Sequence, residues 1–246
     1  MKAEREFIFG IHPVQEAIDS GSEIDRILVR KDHDNPEVRK ILSHGFRLNI
    51  PIHKVPREKL NTITRKNHQG IIAFLSAIQY ASLDHVISSS YSQGSDPLLL
   101  MLDRITDVHN FGAISRTAEG LGFSGVIIPF RGGAMLNNEA VKISAGALMH
   151  IPVCRVKSLL STIDYLKNNG IRIVSCIEKA SGSIYETEMK GPICLVLGSE
   201  WEGISGEILA KTDESVRIPM FGKISSFNVS VSMAIIGAEV VRQRNS

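Results

Sequence analysis

The second half of the chain alternates short apolar runs with longer segments of helical periodicity. The apolar runs predict β-strands at Leu98–Leu102, Gly125–Ile128, Pro152–Val156, Arg172–Cys176, Ile193–Leu197 and Ser215–Ile218. The helical patterns predict helices at Phe111–Leu121, Glu139–Met149, Leu159–Asn168, Ser205–Ala210 and Phe227–Arg244. Strands that are connected through helices run parallel, and their helices cover both faces of the sheet. The sequence therefore predicts an α/β fold built on one parallel sheet.

The first part of the chain predicts a smaller α/β unit. Its helices are predicted at His12–Ser20, from Asn35-Pro36 to near Gly45, and at Pro56–Ile63, and its strands at Asp25–Arg30, Leu48–Val55 and Gly70–Ala77. Between the two halves, Gln79–Asp96 is rich in serine and has little periodicity, which indicates a linker. We therefore expect a domain at residues 1–77, a linker at 78–95 and a second domain at 96–246.

Composition narrows the class of protein. Of the 246 residues, 43% are hydrophobic, which is ample for buried cores. The apolar run Leu98–Leu102 is far shorter than the roughly 18 residues of a membrane-spanning helix, and the charged start lacks the apolar segment of a signal peptide. We therefore expect a cytoplasmic protein with no membrane association. Cys154, Cys176 and Cys194 lie singly in apolar runs, so we expect buried thiols and no metal site.

The net charge of +2 neither favours nor excludes a nucleic-acid partner. Its distribution is more informative, because the stretch from Lys54 to His68 has only one acidic residue, Glu58. The basic residues of this stretch are Lys54, Arg57, Lys59, Arg65 and Lys66. Such a stretch suits RNA phosphates, but its charge alone fits an ordinary solvated surface equally well.

Two nucleotide-binding motifs can be excluded. Gly120–Gly125 matches the G-x-G-x-x-G pattern of dinucleotide-binding loops, but it follows a predicted helix and precedes a predicted strand, the reverse of the required order. Gly222-Lys223 is preceded five residues earlier by Arg217 rather than by the glycine of a P-loop. The sequence therefore argues against NAD-dependent and ATP-driven chemistry.

Three polar segments follow predicted strands, at the sheet edge where ligands of α/β proteins bind. They are Asp103–Glu119, Leu197–Ile204 and Ile218–Ser230. Taken singly, each has a structural explanation: Asn110 is expected to cap a helix that carries Arg116 on its second turn, and the glycines fit tight turns. No single segment assigns a function.

In this order and spacing, however, the three segments resemble the SpoU (TrmH-like) family of ribose methyltransferases. The family patterns are D-x-x-x-D-P-x-N-x-G-A-x-x-R-x-A, L-G-x-E-x-x-G and I-P-M-x-G-x-x-x-S-L-N-V-S. Phe9–Val14 and Asn67–Ala73 extend the resemblance into the first domain, and the whole pattern is most similar to the members that methylate a guanosine ribose in large-subunit ribosomal RNA. Val108 replaces a proline and Phe227 a leucine, and neither change removes a catalytic group.

The resemblance implies a SPOUT fold with a C-terminal trefoil knot, an L30e-like RNA-binding first domain and a homodimer. It implies S-adenosylmethionine as methyl donor, S-adenosylhomocysteine as product, RNA as substrate and no metal. The catalytic residues it implies are Asn110, Arg116, Glu200, Ser226 and Asn228. The cofactor-binding residues it implies are Gly198, Ile218, Met220 and Phe227.

Two other functions stay open at this point. A transfer-RNA ribose methyltransferase would differ only in substrate, and the first domain is the one feature that favours ribosomal RNA. A non-catalytic RNA-binding factor of ribosome assembly could share the fold, although the complete set of implied catalytic residues argues against it.

Overall fold

Two separate sheets organise residues 7–246, which the structure, a computed structural model, describes. The described chain separates into two units. The first extends to Gln79 and takes in Met135–Glu139, and the second comprises Tyr80–Ala134 and Ala140–Ser246.

The first unit holds a mixed four-stranded sheet with the strand order β1-β4-β2-β3. Its elements are β1 (Phe7–Phe9), α1 (Ile11–Asp19), β2 (Ile24–Arg30), α2 (Pro36–Arg47), β3 (Ile52–Val55), α3 (Arg57–Ile63) and β4 (Ile71–Leu75). The central strands β2 and β4 are antiparallel, whereas β3 pairs in parallel with β2 at the edge. This arrangement confirms the small α/β unit, and β1 is a strand that the sequence analysis missed.

Local signals account for most of α2. The side chain of Asn35 accepts a hydrogen bond of 2.7 Å from the amide of Glu37, and Pro36 occupies the first turn, as predicted. The predicted end near Gly45 is wrong, because the helix continues to Arg47 and Gly45 is buried beside Ile27. The chain leaves the helix through Asn49, which has a φ of 57°.

The second unit is built on a parallel seven-stranded sheet with the order β7-β6-β5-β10-β8-β11-β9. The strands are β5 (Leu98–Asp103), β6 (Gly125–Pro129), β7 (Val153–Val156), β8 (Arg172–Cys176), β9 (Gly182–Ser183), β10 (Ile193–Gly198) and β11 (Glu214–Arg217). The helices are α4 (Leu83–Ser92), α5 (Val108–Gly120), α6 (Asn138–Ile143), α7 (Leu159–Asn168), α8 (Gly206–Leu209) and α9 (Val229–Arg244). The unit boundary crosses α6, whose first two residues cluster with the first unit.

Helices cover both faces of this sheet, which confirms the α/β prediction. Leu99 and Met101 of β5 share one apolar cluster with residues of α4, α7 and α8. The alternate β5 residues are also fully buried, and α5 and α9 pack together on the opposite face. A strand buried on both faces has the continuous apolar sequence seen in β5.

Two predicted segments need correction. The linker predicted at residues 78–95 contains α4, whose Val86 and Ile87 belong to the core of the second unit. Serine caps this helix at Ser82, so the serine content reflects capping and solvent exposure rather than a flexible chain. The helix predicted at Glu139–Met149 ends at Ile143, because Ala145 and Gly146 have φ angles of 51° and 88°.

Within residues 7–246, no helix is long and apolar enough to cross a membrane, and no group of histidine, cysteine and acidic side chains could hold a metal ion. Cys154 and Cys194 are buried, and Cys176 is partly buried. Burial raises the pKa of the Cys154 thiol to about 12, so this side chain stays protonated at neutral pH and behaves as a small hydrophobe.

Candidate functional site

The connections of the parallel sheet define one crevice. From β5 the chain passes through α5 to β6 on one side, whereas from β10 it passes through α8 to β11 on the other side. β5 and β10 are neighbours, so the chain leaves them in opposite directions and a crevice opens at their carboxyl ends. Asp103 and Gly198 pair at the last position of these strands. Two of the three polar segments therefore begin side by side.

The loop after β10 is closed by its own hydrogen bonds. The amide of Gly203 donates to the carbonyl of Ser199 at 2.9 Å, and the amide of Glu202 donates to the Ser199 hydroxyl at 3.2 Å. Gly203 has a φ of 64°, a conformation that favours glycine. Ser199 to Gly203 therefore form a tight loop, which we call the β10 loop.

Residues at the end of β5 hold the β10 loop in place. The Arg104 guanidinium donates to the carbonyl of Gly203 at 3.1 Å and forms an ion pair with Glu202. The Asp103 carboxylate accepts a hydrogen bond of 2.8 Å from the amide of Ser205. Arg104 has a φ of 58°, a strained conformation for a residue with a side chain, and strain of this kind collects at functional sites. Both residues act by positioning, and the sequence analysis assigned a role to neither.

Three of the implied catalytic residues meet beside this loop. The side-chain nitrogen Nδ2 of Asn228 donates to the side-chain oxygen of Asn110 at 3.0 Å and also to the Glu200 carboxylate. The side-chain oxygen of Asn228 accepts from the amide of Ser230 at 2.9 Å, which makes Asn228 the N-cap of α9. One side chain from each polar segment therefore contributes to a cluster of Asn110, Glu200 and Asn228, which we call the amide–carboxylate cluster.

Asn110 is available for this cluster because another residue caps α5. The expectation that Asn110 caps the helix is wrong: the Asp107 carboxylate accepts the hydrogen bond of 2.8 Å from the Asn110 amide and is the N-cap. Asn110 is thus the third residue of the helix, and its side chain is free to contact Asn228. The sequence offered Asp107 as a second capping candidate three residues before Asn110, since aspartate and asparagine cap helices about equally well.

Arg116 and Ser226 do not join the cluster within one chain. Arg116 is exposed on α5, and no hydrogen bond or ion pair joins its side chain to the described residues. Arg116 lies six positions after Asn110, and on an α-helix this spacing places the two side chains about 120° apart around the helix axis. Ser226 is half-buried in the loop between β11 and α9 and makes no side-chain hydrogen bond to the described residues.

The residues implied to bind the cofactor lie on two loops of the same unit. Gly198 ends β10, while Ile218 and Met220 are half-buried and Phe227 is 42% exposed in the segment between β11 and α9. A Cβ atom built on Gly198 would lie 2.1 Å from the carbonyl carbon of Gly203. Gly198 is therefore needed for the closure of the β10 loop itself.

Replacing Gly198 with alanine is expected to destabilise the protein by about 1–3 kcal/mol, because the new methyl group has to displace backbone rather than a flexible side chain. Urea unfolding measures this change in the free energy of unfolding. Gly222→Ala is the matched control, since no atom lies within 4 Å of its built Cβ. Equal stability of the two variants would contradict the close approach of Gly198 and Gly203.

The basic stretch of the first unit is accessible. Lys54 lies on the edge strand β3, Arg57 and Lys59 on α3, and Arg65 and Lys66 in the following loop, and all five are exposed. None of them forms an ion pair with an acidic side chain of residues 7–246. His68, which ends the stretch, is instead buried: its Nδ1 accepts from the amide of Gly70, and burial together with the charge of Arg57 lowers its pKa.

Sequence comparison assigns both parts of the chain to one family. The profile of the SpoU rRNA methylase family matches residues 97–238, and a profile described as RNA 2'-O ribose methyltransferase substrate binding matches residues 7–81. A TrmH family tRNA/rRNA methyltransferase of Staphylococcus saprophyticus is 37% identical over 97% of this chain and 96% of its own. A TrmH family protein of Bacillus subtilis, YacO, is 32% identical over 100% and 98%.

Solved structures share the fold. The SpoU methyltransferase AviRb from Streptomyces viridochromogenes, determined with AdoMet, superposes with a TM-score of 0.62 at 24% identity and covers 96% of this chain and 89% of its own. A TrmH/SpoU tRNA modifying enzyme of A. aeolicus is 31% identical with a TM-score of 0.55, over 61% of this chain and 76% of its own.

The fold and the family matches define the class of this protein, which is an RNA methyltransferase. It belongs to the SpoU (TrmH-like) family, and the resemblance found in its sequence is confirmed.

Proposed function

We propose that this chain transfers a methyl group from S-adenosylmethionine to a ribose 2'-oxygen, on a guanosine of large-subunit ribosomal RNA. The observation that carries the proposal is the amide–carboxylate cluster, in which Asn110, Glu200 and Asn228 come together from three separate segments. The cluster combines amide groups and a carboxylate, which suit the binding and orientation of a hydroxyl group.

The residues beside the cluster fit the cofactor. The backbone of the β10 loop packs closely against Gly198. After β11, the side chains of Ile218, Met220 and Phe227 are partly exposed and offer apolar surface. Backbone polar groups and apolar walls are the usual lining of a small-ligand pocket. When bound, S-adenosylmethionine supplies a methyl group on a positively charged sulfur. The trefoil knot belongs to the same proposal and would bring these loops together.

The chain's own residues prepare the ribose hydroxyl. A 2'-hydroxyl is a poor nucleophile until its proton is removed. A guanidinium is a poor general base, so the role proposed for Arg116 is to stabilise negative charge on that oxygen together with the adjacent RNA phosphate, which helps to relay the proton to solvent. Asn110 orients the ribose, and Glu200, Ser226 and Asn228 position it through hydrogen bonds.

The active species in this proposal is a homodimer. The stripe of Val229, Met233, Ile236 and Val240 on α9 is buried within the unit, as expected. Val231, Ala234 and Ala238 form a second apolar stripe, spaced three and four residues apart, and all three are exposed. A second copy would cover this stripe in a self-complementary interface. The exposed Arg116, turned away from its own cluster, fits a role near the cofactor of the partner subunit or at the dimer seam.

The first unit is proposed to anchor the RNA, and the cytoplasm is the proposed location. Five exposed basic side chains without acidic partners leave their charge available to phosphates. Structured ribosomal RNA would be held through phosphates and shape, with the target nucleotide turned out of its stack.

The double variant Arg57→Glu, Lys59→Glu reverses two charges of this basic stretch and is expected to weaken RNA binding at least tenfold. The slope of log binding constant against log salt concentration should become shallower by about two, one for each lost phosphate contact. Filter binding over a range of salt concentrations measures both effects. Lys190→Glu, an exposed lysine of the second unit, is the matched control. An unchanged salt slope in the double variant would remove the stretch from the RNA contact.

Mapping ribose methylation across all stable RNAs, in cells with and without this protein, tests the proposed substrate. Loss of one 2'-O-methylguanosine from large-subunit ribosomal RNA is expected. Loss of a site in transfer RNA would assign the alternative substrate. An unchanged methylation pattern with altered ribosome assembly would support a non-catalytic factor and contradict the proposal.

A further inference from the structure

Trp201 exposes almost its whole indole ring beside the amide–carboxylate cluster. Its exposure is 95%, and it directly follows Glu200, which accepts a hydrogen bond from Asn228. Exposed single hydrophobic residues are common, but an exposed tryptophan next to the residues that gather at a site points to a ligand. Trp201 is not among the catalytic or cofactor-binding residues that the family resemblance implies.

The exposure of Trp201 is not the result of an unsupported loop. The amide of Gly203 is bonded to Ser199 across the β10 loop, and Arg104 holds both Glu202 and the Gly203 carbonyl. The backbone is therefore fixed on both sides of the indole. A ligand that covers the ring therefore restricts two side-chain torsions but does not have to order the loop.

The charges around Trp201 indicate what can approach it. Its neighbours in the chain are Glu200, which accepts from Asn228, and Glu202, which is paired with Arg104, so neither offers a positive charge to an RNA phosphate. The uncharged indole face is the group at this position that can contact RNA, and it matches the face of a base. RNA bases that are turned out of a helix stack on aromatic side chains in this manner.

We propose that Trp201 is a stacking platform for a base of the RNA substrate, and this inference rests on the proposed function of the site. The occupant is a nucleobase, and a purine gives the larger contact area. Trp201 thereby selects a target whose base is unstacked and leaves the ribose facing the cluster. Its contribution is to RNA binding rather than to the transfer step.

Trp201 is the sole tryptophan of the chain, so its fluorescence reports on this position directly. The protein saturated with S-adenosylhomocysteine is titrated with the RNA, and binding is followed in parallel by the anisotropy of labelled RNA. We expect RNA to quench the tryptophan emission and to protect the indole from quenching by acrylamide. Both changes should occur at the same RNA concentration as the midpoint of the anisotropy curve. RNA binding without any change in emission overturns the inference. Concentration-dependent quenching without RNA overturns it too, because a second copy would then cover the ring.

Kinetics of Trp201→Ala and Trp201→Phe complete the test. Loss of one stacked base is expected to raise the KM for RNA about tenfold to a hundredfold in Trp201→Ala while kcat changes by less than about threefold. Trp201→Phe restores most of the affinity, which a purely structural role would not require. Tyr185→Ala removes another exposed aromatic ring of the second unit and should leave both constants unchanged. A wild-type KM in Trp201→Ala contradicts the inference, whereas absence of turnover in the wild-type protein contradicts the proposed function instead.

Discussion

Arg116→Ala is expected to lower methyl transfer by about 10²–10³-fold or more while the affinity for S-adenosylmethionine stays within a few fold. The guanidinium is assigned to the ribose side of the site, where it stabilises charge that develops only during transfer. Loss of such a group acts on kcat more than on cofactor binding. Arg116 is exposed and has no hydrogen bond or ion pair to the described residues, so its removal should leave the fold intact.

Two further variants sharpen this prediction. Glu119→Ala, at an exposed position one turn further along α5, is the control and should transfer methyl groups at the wild-type rate. Arg116→Lys keeps the charge but loses the planar fork, so activity should stay more than tenfold below wild type. Single-turnover kinetics measure transfer, and calorimetry measures cofactor affinity. Substantial residual turnover in Arg116→Ala would remove this residue from the mechanism.

Ala238→Arg is expected to dissociate the proposed homodimer and with it to lower methyl transfer at least about a hundredfold. Ala238 lies on the exposed apolar stripe of α9, and in a self-complementary interface the substitution would put a charged, longer side chain into the apolar contact from both subunits. Sedimentation at micromolar concentration should then give the mass of one chain, 27.0 kDa.

The matched control for this variant is Ser88→Arg, which places the same side chain at an exposed position of α4. It should remain dimeric and active. An exposed substitution away from special features changes stability by only about 0.5 kcal/mol, so unfolding of either variant is not expected. A monomer with full methyl transfer would show that the second copy is dispensable for activity.

The sequence predicted those strands and helices correctly whose hydrophobic pattern matches the burial of their residues in the structure. β5 is buried on both faces, and its unbroken apolar run predicted this. α4 was missed because its serines suggested a linker, while only Val86 and Ile87 of the helix are buried and tertiary packing decides its structure.

The site was predicted at the level of its segments rather than its contacts. Asn110, Glu200 and Asn228 were assigned to one site by resemblance, and the structure brings them into hydrogen-bond contact. The left-handed conformation of Arg104 could not be predicted, since arginine has no preference for it and its contacts with Glu202 and Gly203 are distant in sequence.

Capping and helix geometry explain the other differences. Asp107 and Asn110 are both good capping residues, and the choice between them depends on where the chain leaves β5. Arg116 belongs to the same motif as Asn110, yet helical rotation turns it to another face, so a shared motif did not mean a shared contact. Which apolar residues of α9 stay exposed depends in turn on which face of the helix the unit buries.

Ribose methylation can be detected by incubating the purified protein with unmodified large-subunit ribosomal RNA and S-adenosylmethionine and then cleaving the RNA in alkali. Alkaline cleavage uses the 2'-hydroxyl as nucleophile, so a methylated ribose leaves a gap at one position of the ladder. We expect a single gap at a guanosine, formed by the wild-type protein and absent with Arg116→Ala. Methyl incorporation without any gap places the methyl group on a base and would contradict transfer to a ribose 2'-oxygen, and the same gap with Arg116→Ala would contradict the role of Arg116.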